Sequence, residues 1–186
     1  ISGHNTDPDF GVPRYDVEKA KELLAQAGYP DGLKTTLIGQ TSLADKDAMV
    51  AIQAQLAAVG IDAEIQLPDA GGYAELRGNG WDGILVQSDR NLAAQETSYK
   101  LLYDKDRNYF FSLAHPQQMQ DLLDIAYTKL GDVSTELNDL QAYILDNALV
   151  VPIYFTYDSW IMRPNVVNLE PEMTAQEWWI WLAKTP

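Results

Sequence analysis

The sequence predicts an α/β fold in which a short, mostly parallel sheet is flanked by helices. Three observations predict it. Helical stripes and strand-like runs take turns through residues 16–87 in the order α-β-α-β-α-β, the pattern that lays strands side by side with helices as crossovers. Glycine or proline punctuates most changes of period. The third strand candidate contains the continuous apolar run Ile84-Leu85-Val86, as expected of a central strand covered on both faces.

Taken in order, residues 1–15 carry Gly, Pro and Asp with little periodicity and read as extended chain or linker. Asp16 is a good N-cap for a helix whose face is Val17, Ala20, Leu23, Leu24 and Ala27, and Gly28 with Pro30 stops it. Leu33 to Gln40 reads as a strand, with Thr35, Thr36 and Ile38 supplying β-branched residues. Thr41 or Ser42 is the expected cap of the next helix, whose stripe is Met49, Ile52, Leu56 and Val59, ended by Gly60. Ile61, Ala63, Ile65 and Leu67 alternate with polar residues and predict a half-buried strand closed by Pro68. A short helix over Gly72 to Gly78 then precedes the third strand, Trp81 to Gln87. The second half is more helical. Helices are expected from about Ala94 to Tyr103, within 116–130 on a Met119, Leu122, Leu123, Ala126, Leu130 stripe, and within 134–148 on a Leu137, Leu140, Ile144, Leu145, Ala148 stripe. Val150 to Phe155 reads as a strand, with Pro152 marking an edge or a strand start.

Composition removes whole classes of function. The chain carries 13 basic and 27 acidic residues, a net charge of −14. Such a field repels nucleic acid and anionic lipid, so neither is an expected partner. Two readings of the acidity stay open, attraction of cationic ligands and, more simply, a solvated surface. With no cysteine there are no disulfides, thiolate nucleophiles or Cys-based zinc sites. No run approaches the ~18 apolar residues of a membrane span, and no signal peptide opens the chain. The start, Ile1-Ser2-Gly3-His4-Asn5, reads as the cut edge of a longer protein whose export signal lies elsewhere.

Motifs with chemical content are few. Gly78-Asn79-Gly80-Trp81-Asp82-Gly83 fits G-x-G-x-x-G, but dinucleotide binding needs these glycines after a strand and opening a helix. Here they end a helix and open a strand, so a turn using positive φ is expected instead. Asp104-Lys105-Asp106-Arg107-Asn108 begins like a calcium loop, yet Tyr109 and His115 stand where Gly and a bidentate Glu are required. His4 and His115 have no metal-ligand spacing. No cofactor, metal or catalytic residue is therefore expected.

The segment Gln87-Ser88-Asp89-Arg90-Asn91 follows the third strand at its carboxyl end, the edge of an open α/β sheet where ligands bind. It offers an amide, a hydroxyl, a carboxylate and a guanidinium, and Asp89 could hold an ammonium group by a charge-assisted bond. A polar turn with Asp89 capping the next helix is the equally weighted alternative. Among nearby aromatics, Tyr73 and Trp81 are candidate stacking surfaces, although large rings usually belong to a core.

Several segments resemble the peptide-binding family, family 5, of extracellular solute-binding proteins, which serve importers of oligopeptides, dipeptides, nickel complexes and some oligosaccharides. Tyr15-Asp16-Val17-Glu18-Lys19-Ala20-Lys21-Glu22-Leu23-Leu24-Ala25-Gln26-Ala27-Gly28-Tyr29-Pro30-Asp31-Gly32 resembles that family's Tyr-Asp, Lys-Ala, Leu-Leu, Ala-Gly-Tyr, Gly series. Ile52-Gln53-Ala54-Gln55-Leu56 with Val59-Gly60-Ile61-Asp62, Trp81-Asp82, Leu122-Leu123-Asp124-Ile125-Ala126, Leu140-Gln141-Ala142-Tyr143-Ile144-Leu145 and Val151-Pro152-Ile153-Tyr154 follow in the family's order. The likeness runs from residue 13 to about 170.

The resemblance implies one lobe of a two-lobe, periplasmic-binding-protein-like fold. Residues 16–155 would be the second lobe, 1–15 a hinge-proximal linker and 156–186 a segment returning toward the first lobe. It implies a non-enzymatic, extracytoplasmic receptor, in the periplasm or lipid-anchored outside the cell membrane. The implied partners are a small solute or peptide, the missing first lobe and ABC permease subunits. Asp89 sits where peptide binders carry an Asp that pairs with the ligand's amino terminus, and Gln87 and Ser88 flank it. Val86 and Gln87 replace an aromatic common in that family, and Arg90-Asn91-Leu92-Ala93 replaces an acidic-Pro sequence, which leaves a sugar or other solute open beside a peptide. Two rivals stand outside the resemblance: a hydrolase using a carboxylate pair, and an interaction module using Trp178, Trp179 and Trp181.

Overall fold

The computed structural model describes residues 15–87, 95–107 and 109–153, with side chains not described for 95–98. The chain divides into two compact units. Of the described residues, one comprises 15–87, 102–107 and 109–115, the other 95–101 and 116–153.

The first of these units is an α/β sandwich built on a parallel sheet. Helix α1 (Val17–Gln26) starts as the sequence predicts, with the Asp16 carboxylate accepting from the Lys19 N–H at 2.9 Å. Asp16→Ala is expected to cost about 1 kcal/mol, read as a lower denaturation midpoint at unchanged slope; an unmoved midpoint contradicts the cap. Strand β1 (Leu33–Gly39) runs into helix α2 (Lys46–Ala58), strand β2 (Ile61–Gln66), helix α3 (Ala70–Asn79) and strand β3 (Ile84–Val86). Both strand pairs are parallel, and the order is β2-β1-β3.

Burial follows the strand period. Neighbouring strand residues face opposite sides, and Leu37 and Ile38 are 0% and 2% exposed, so β1 is the strand covered on both faces. On one side Leu37 meets Met49 and Ala63, with Ile52, Leu56, Ile65 and Val86 packed around them. The alternation expected for β2 is present, with Ala63 inside and Asp62, Glu64 and Gln66 outside. The expectation of a central β3 is corrected. Among the described residues β3 lies at the end of the sheet, and Ile84 is 38% exposed. A three-residue apolar run cannot by itself distinguish a central strand from a flanking one.

The start of α2 is also corrected. Its cap is Asp45, accepting from the N–H groups of Asp47 and Ala48. Thr41 does a different job. Its N–H donates to the Pro68 carbonyl at 2.9 Å, and its hydroxyl reaches the carbonyls of Leu67 and Pro68. Thr41 thereby ties the carboxyl end of β1 to that of β2.

The other unit contains helix α5 (Gln117–Thr128) and helix α6 (Ser134–Asp146), preceded in the chain by helix α4 (Gln95–Tyr103), which spans the boundary between units. Met119, Leu123 and Ala126 of α5 and Leu137, Leu140 and Ile144 of α6 are buried, as the helical stripes predict. Leu130, expected on the first stripe, is 95% exposed because α5 ends before it. A Lys129–Glu136 ion pair at 2.6 Å bridges the connection. The strand expected at Val150 to Phe155 is not formed over 150–153, where Pro152 lacks a ladder donor; Tyr154, Phe155 and the aromatic tail lie outside the described residues. No described helix is long and apolar enough to cross a membrane.

Candidate functional site

Parallel pairing brings the carboxyl ends of all three strands to one edge of the sheet. Gly39 of β1 is in register with Val86 of β3, so Gln40 and Gln87 are the next residues out from that edge. Two side chains brace it. Thr41 binds the ends of β1 and β2, as above. Tyr73 binds the end of β3: its hydroxyl oxygen lies 2.8 Å from the Val86 carbonyl oxygen and 2.8 Å from Gln87 Oε1. Tyr73 sits in the first turn of α3, where Asp69 caps the helix by accepting from the Gly72 N–H at 2.8 Å and the Tyr73 N–H donates to the Asp69 carbonyl.

Of the residues singled out from the sequence, the structure therefore brings Tyr73 and Gln87 together. The Tyr73 ring is 3% exposed, and it is the hydroxyl that reaches the strand end. Trp81 lies before the opposite, amino end of β3. Its backbone N–H donates to Ser112 Oγ and its carbonyl accepts from the same hydroxyl, both at 2.8 Å. Its ring meets Phe110 edge-on at 6.3 Å, and Phe110 in turn meets Tyr109, over which the Arg77 guanidinium sits at 4.0 Å. Ser88, Asp89, Arg90 and Asn91 lie outside the described residues. Sequence reasoning overlooked Thr41 as a brace, since its partners are 26 and 27 residues away and no local signal announces them.

The glycine motif forms the turn expected of it. Gly80 ends α3 with φ 121° and Gly83 has φ 100°. At Gly83 a Cβ would stand 2.5 Å from the Thr36 carbonyl oxygen, so this glycine permits β3 to approach β1. The Asp104 loop is closed by its own turn, with the Asp106 N–H donating to the Asp104 carboxylate. His115 is half-buried, and burial holds its imidazole below the ordinary value against an opposing pull from Asp104. Among the described residues no cluster of His, Cys, Asp or Glu could hold a metal ion. Asp132 and Glu136 are both held below the usual carboxylate range, the first by hydrogen bonds from Ser134, the second by the hydrogen bond from Lys129. A glycosidase-type general acid needs the opposite shift.

The profile of the bacterial extracellular solute-binding proteins, family 5, middle region, matches residues 1–110. The chain belongs to this family. The family is one of bacterial extracellular solute-binding proteins. It is 46% identical over 68 residues to the glutathione-binding protein GsiB of Salmonella choleraesuis, a match spanning 36% of this chain and 13% of that protein. It is similar to the ABC transporter-associated periplasmic binding protein DppA of Helicobacter pylori, solved with the peptide STSA, at 28% identity and a TM-score of 0.67, covering 80% of this chain and 30% of that one. The dipeptide-binding protein of Pseudoalteromonas sp. SM9913, solved with Met-Leu, shares the fold at a TM-score of 0.73 and 16% identity, covering 98% of this chain and 38% of that one. The chain thus spans less than two fifths of the length of these relatives.

Proposed function

We propose that this chain is the second lobe of a two-lobe receptor of an ABC importer, and that it captures a peptide, an oligopeptide or dipeptide, by closure of the lobes. Residues 16–155 form the lobe, 1–15 lead in from the hinge and 156–186 return toward the first lobe. The receptor works outside the cytoplasmic membrane, in the periplasm or lipid-anchored, and hands its ligand to permease subunits. No bond is made or broken. Asp89 is the charged anchor for the ligand's ammonium group, and Gln87, Ser88, Arg90 and Asn91 form the orienting shell.

The observation that carries this reading is the braced carboxyl edge of the sheet. Gln87 leaves β3 there, held by the buried Tyr73, at the place where open α/β sheets bind ligands. A relative named for glutathione binding and a similar protein solved with the peptide STSA support a peptide.

Calorimetry with glutathione, Met-Leu and Ser-Thr-Ser-Ala tests it. The full-length protein is expected to bind at least one of them with micromolar or tighter affinity, and the 186-residue chain alone to bind none tightly, because closure buries a ligand from both sides. Nanomolar binding by the chain alone contradicts the two-lobe reading.

A further inference from the structure

Among the described residues strand β2 ends the sheet on the side away from β3, and an end strand carries one row of backbone groups that no neighbouring strand takes up. The ladder fixes which row this is. The Leu33 N–H donates to the Gly60 carbonyl at 3.2 Å and the Thr41 N–H to the Pro68 carbonyl at 2.9 Å, so the even-numbered residues of this stretch turn their backbone groups toward β1. Alternate residues of a paired strand turn to opposite sides, and Ile61, Ala63 and Ile65 therefore direct theirs to the outer edge. At the middle of that edge Gln53 Nε2 of α2 donates to the Ala63 carbonyl at 2.7 Å. Ala63 is 3% exposed although it sits on an end strand.

The outward side chains form a second barrier. Asp62 and Glu64 are exposed. In a two-fold antiparallel pairing with β2 of a second copy, Ala63 opposite Ala63, each Asp62 would face a Glu64, and like charges directly opposite are destabilising. Lys34 stands 3.6 Å from Asp62, with both side chains largely exposed, a screened pair that leaves the edge acidic. The charge shows which strand is kept off. An acidic edge repels an acidic strand and attracts a basic one, and this chain carries 27 acidic residues against 13 basic ones.

We propose that Gln53 guards the outer edge of β2: its amide occupies the Ala63 carbonyl that a fourth strand would have to claim, and with Asp62 and Glu64 it keeps two copies of this chain from joining sheet to sheet. The guard belongs to the fold and stands apart from the identity of the ligand.

Self-association of the full-length protein, followed by sedimentation and by hydrogen exchange over a concentration series at low and high salt, tests it. Wild type is expected to gain no concentration-dependent protection over residues 61–66. Gln53→Met keeps the length and removes the donor, and Gln53→Asn is shorter by a methylene and falls short of Ala63. Each is expected to associate with protection that grows with concentration over 61–66, and about 10-fold more tightly at high salt, where the Asp62–Glu64 repulsion is screened. Adding Glu64→Gln to Gln53→Met is expected to remove most of that salt dependence. Gln55→Met places the same side chain on an exposed position of α2 and is expected to behave as wild type. Folded Gln53 variants that gain no protection at 61–66, a wild type that already pairs there, or a Gln55 variant that associates equally would each overturn the guard. Failure of both Gln53 variants to fold overturns it as well, since the amide would then hold up the monomer rather than exclude a strand.

Discussion

Gly32→Ala is expected to destabilise the chain by about 2–4 kcal/mol, the sum of a left-handed backbone penalty and a steric one. Gly32 has φ 84°, and a Cβ there would stand 2.0 Å from the Gly60 carbonyl oxygen and 2.9 Å from its carbon. Those are backbone atoms, which cannot swing aside as a side chain can. The same carbonyl accepts the Leu33 N–H at 3.2 Å, at the first rung where β1 meets β2. A displaced Gly60 therefore loosens the sheet at its amino end. Gly28 is the internal control. Its φ is 92°, but a Cβ there meets nothing within 4 Å, so Gly28→Ala should cost only about 1 kcal/mol. Denaturant titration of the two variants compares them directly. A loss at Gly32 no larger than at Gly28 would show that the approach of the two turns is not constrained.

Asp89→Asn in the full-length protein is expected to weaken a peptide ligand about 30-fold or more. Removing one member of a desolvated charge pair costs about 2–5 kcal/mol, since the other charge is left buried without a partner. The change keeps size and shape and removes only the charge. Asp82→Asn supplies the comparison: Asp82 is exposed before the amino end of β3, and its substitution should change affinity less than about twofold, as for screened surface charge. An N-acetylated ligand should bind wild type weakly and lose little more in the Asp89 variant. Full affinity after Asp89→Asn would remove the ammonium anchor from the account.

How far the sequence foretells the structure depends on where each residue's partner lies. Helix α1 was legible because its cap, Asp16, bonds three residues away. Strand β2 was legible because its alternation is local. The α5 and α6 stripes emerged as buried faces for the same reason. Thr41 was misread as a cap because its hydroxyl and amide are taken by Leu67 and Pro68, which arrive only when β1 and β2 pair. Among the described residues β3 lies at the end of the sheet, and its three apolar residues carry no information about that position. Tyr73 could be picked out as an aromatic near the site, but its role as a buried hydroxyl donor depends on α3 packing against the end of β3, which no spacing reveals. Gln87 was reached through the general rule for strand ends in α/β sheets, and its tie to Tyr73 required coordinates.

Hydrogen–deuterium exchange of the full-length protein, with and without saturating Met-Leu or whichever peptide it binds, measures the ligand edge most directly. The account predicts that ligand slows exchange in peptides spanning residues 84–91 and leaves the α5–α6 connection around Gly131 unchanged. Protection confined to other parts of the chain, with 84–91 unaffected while the ligand is bound, would contradict it.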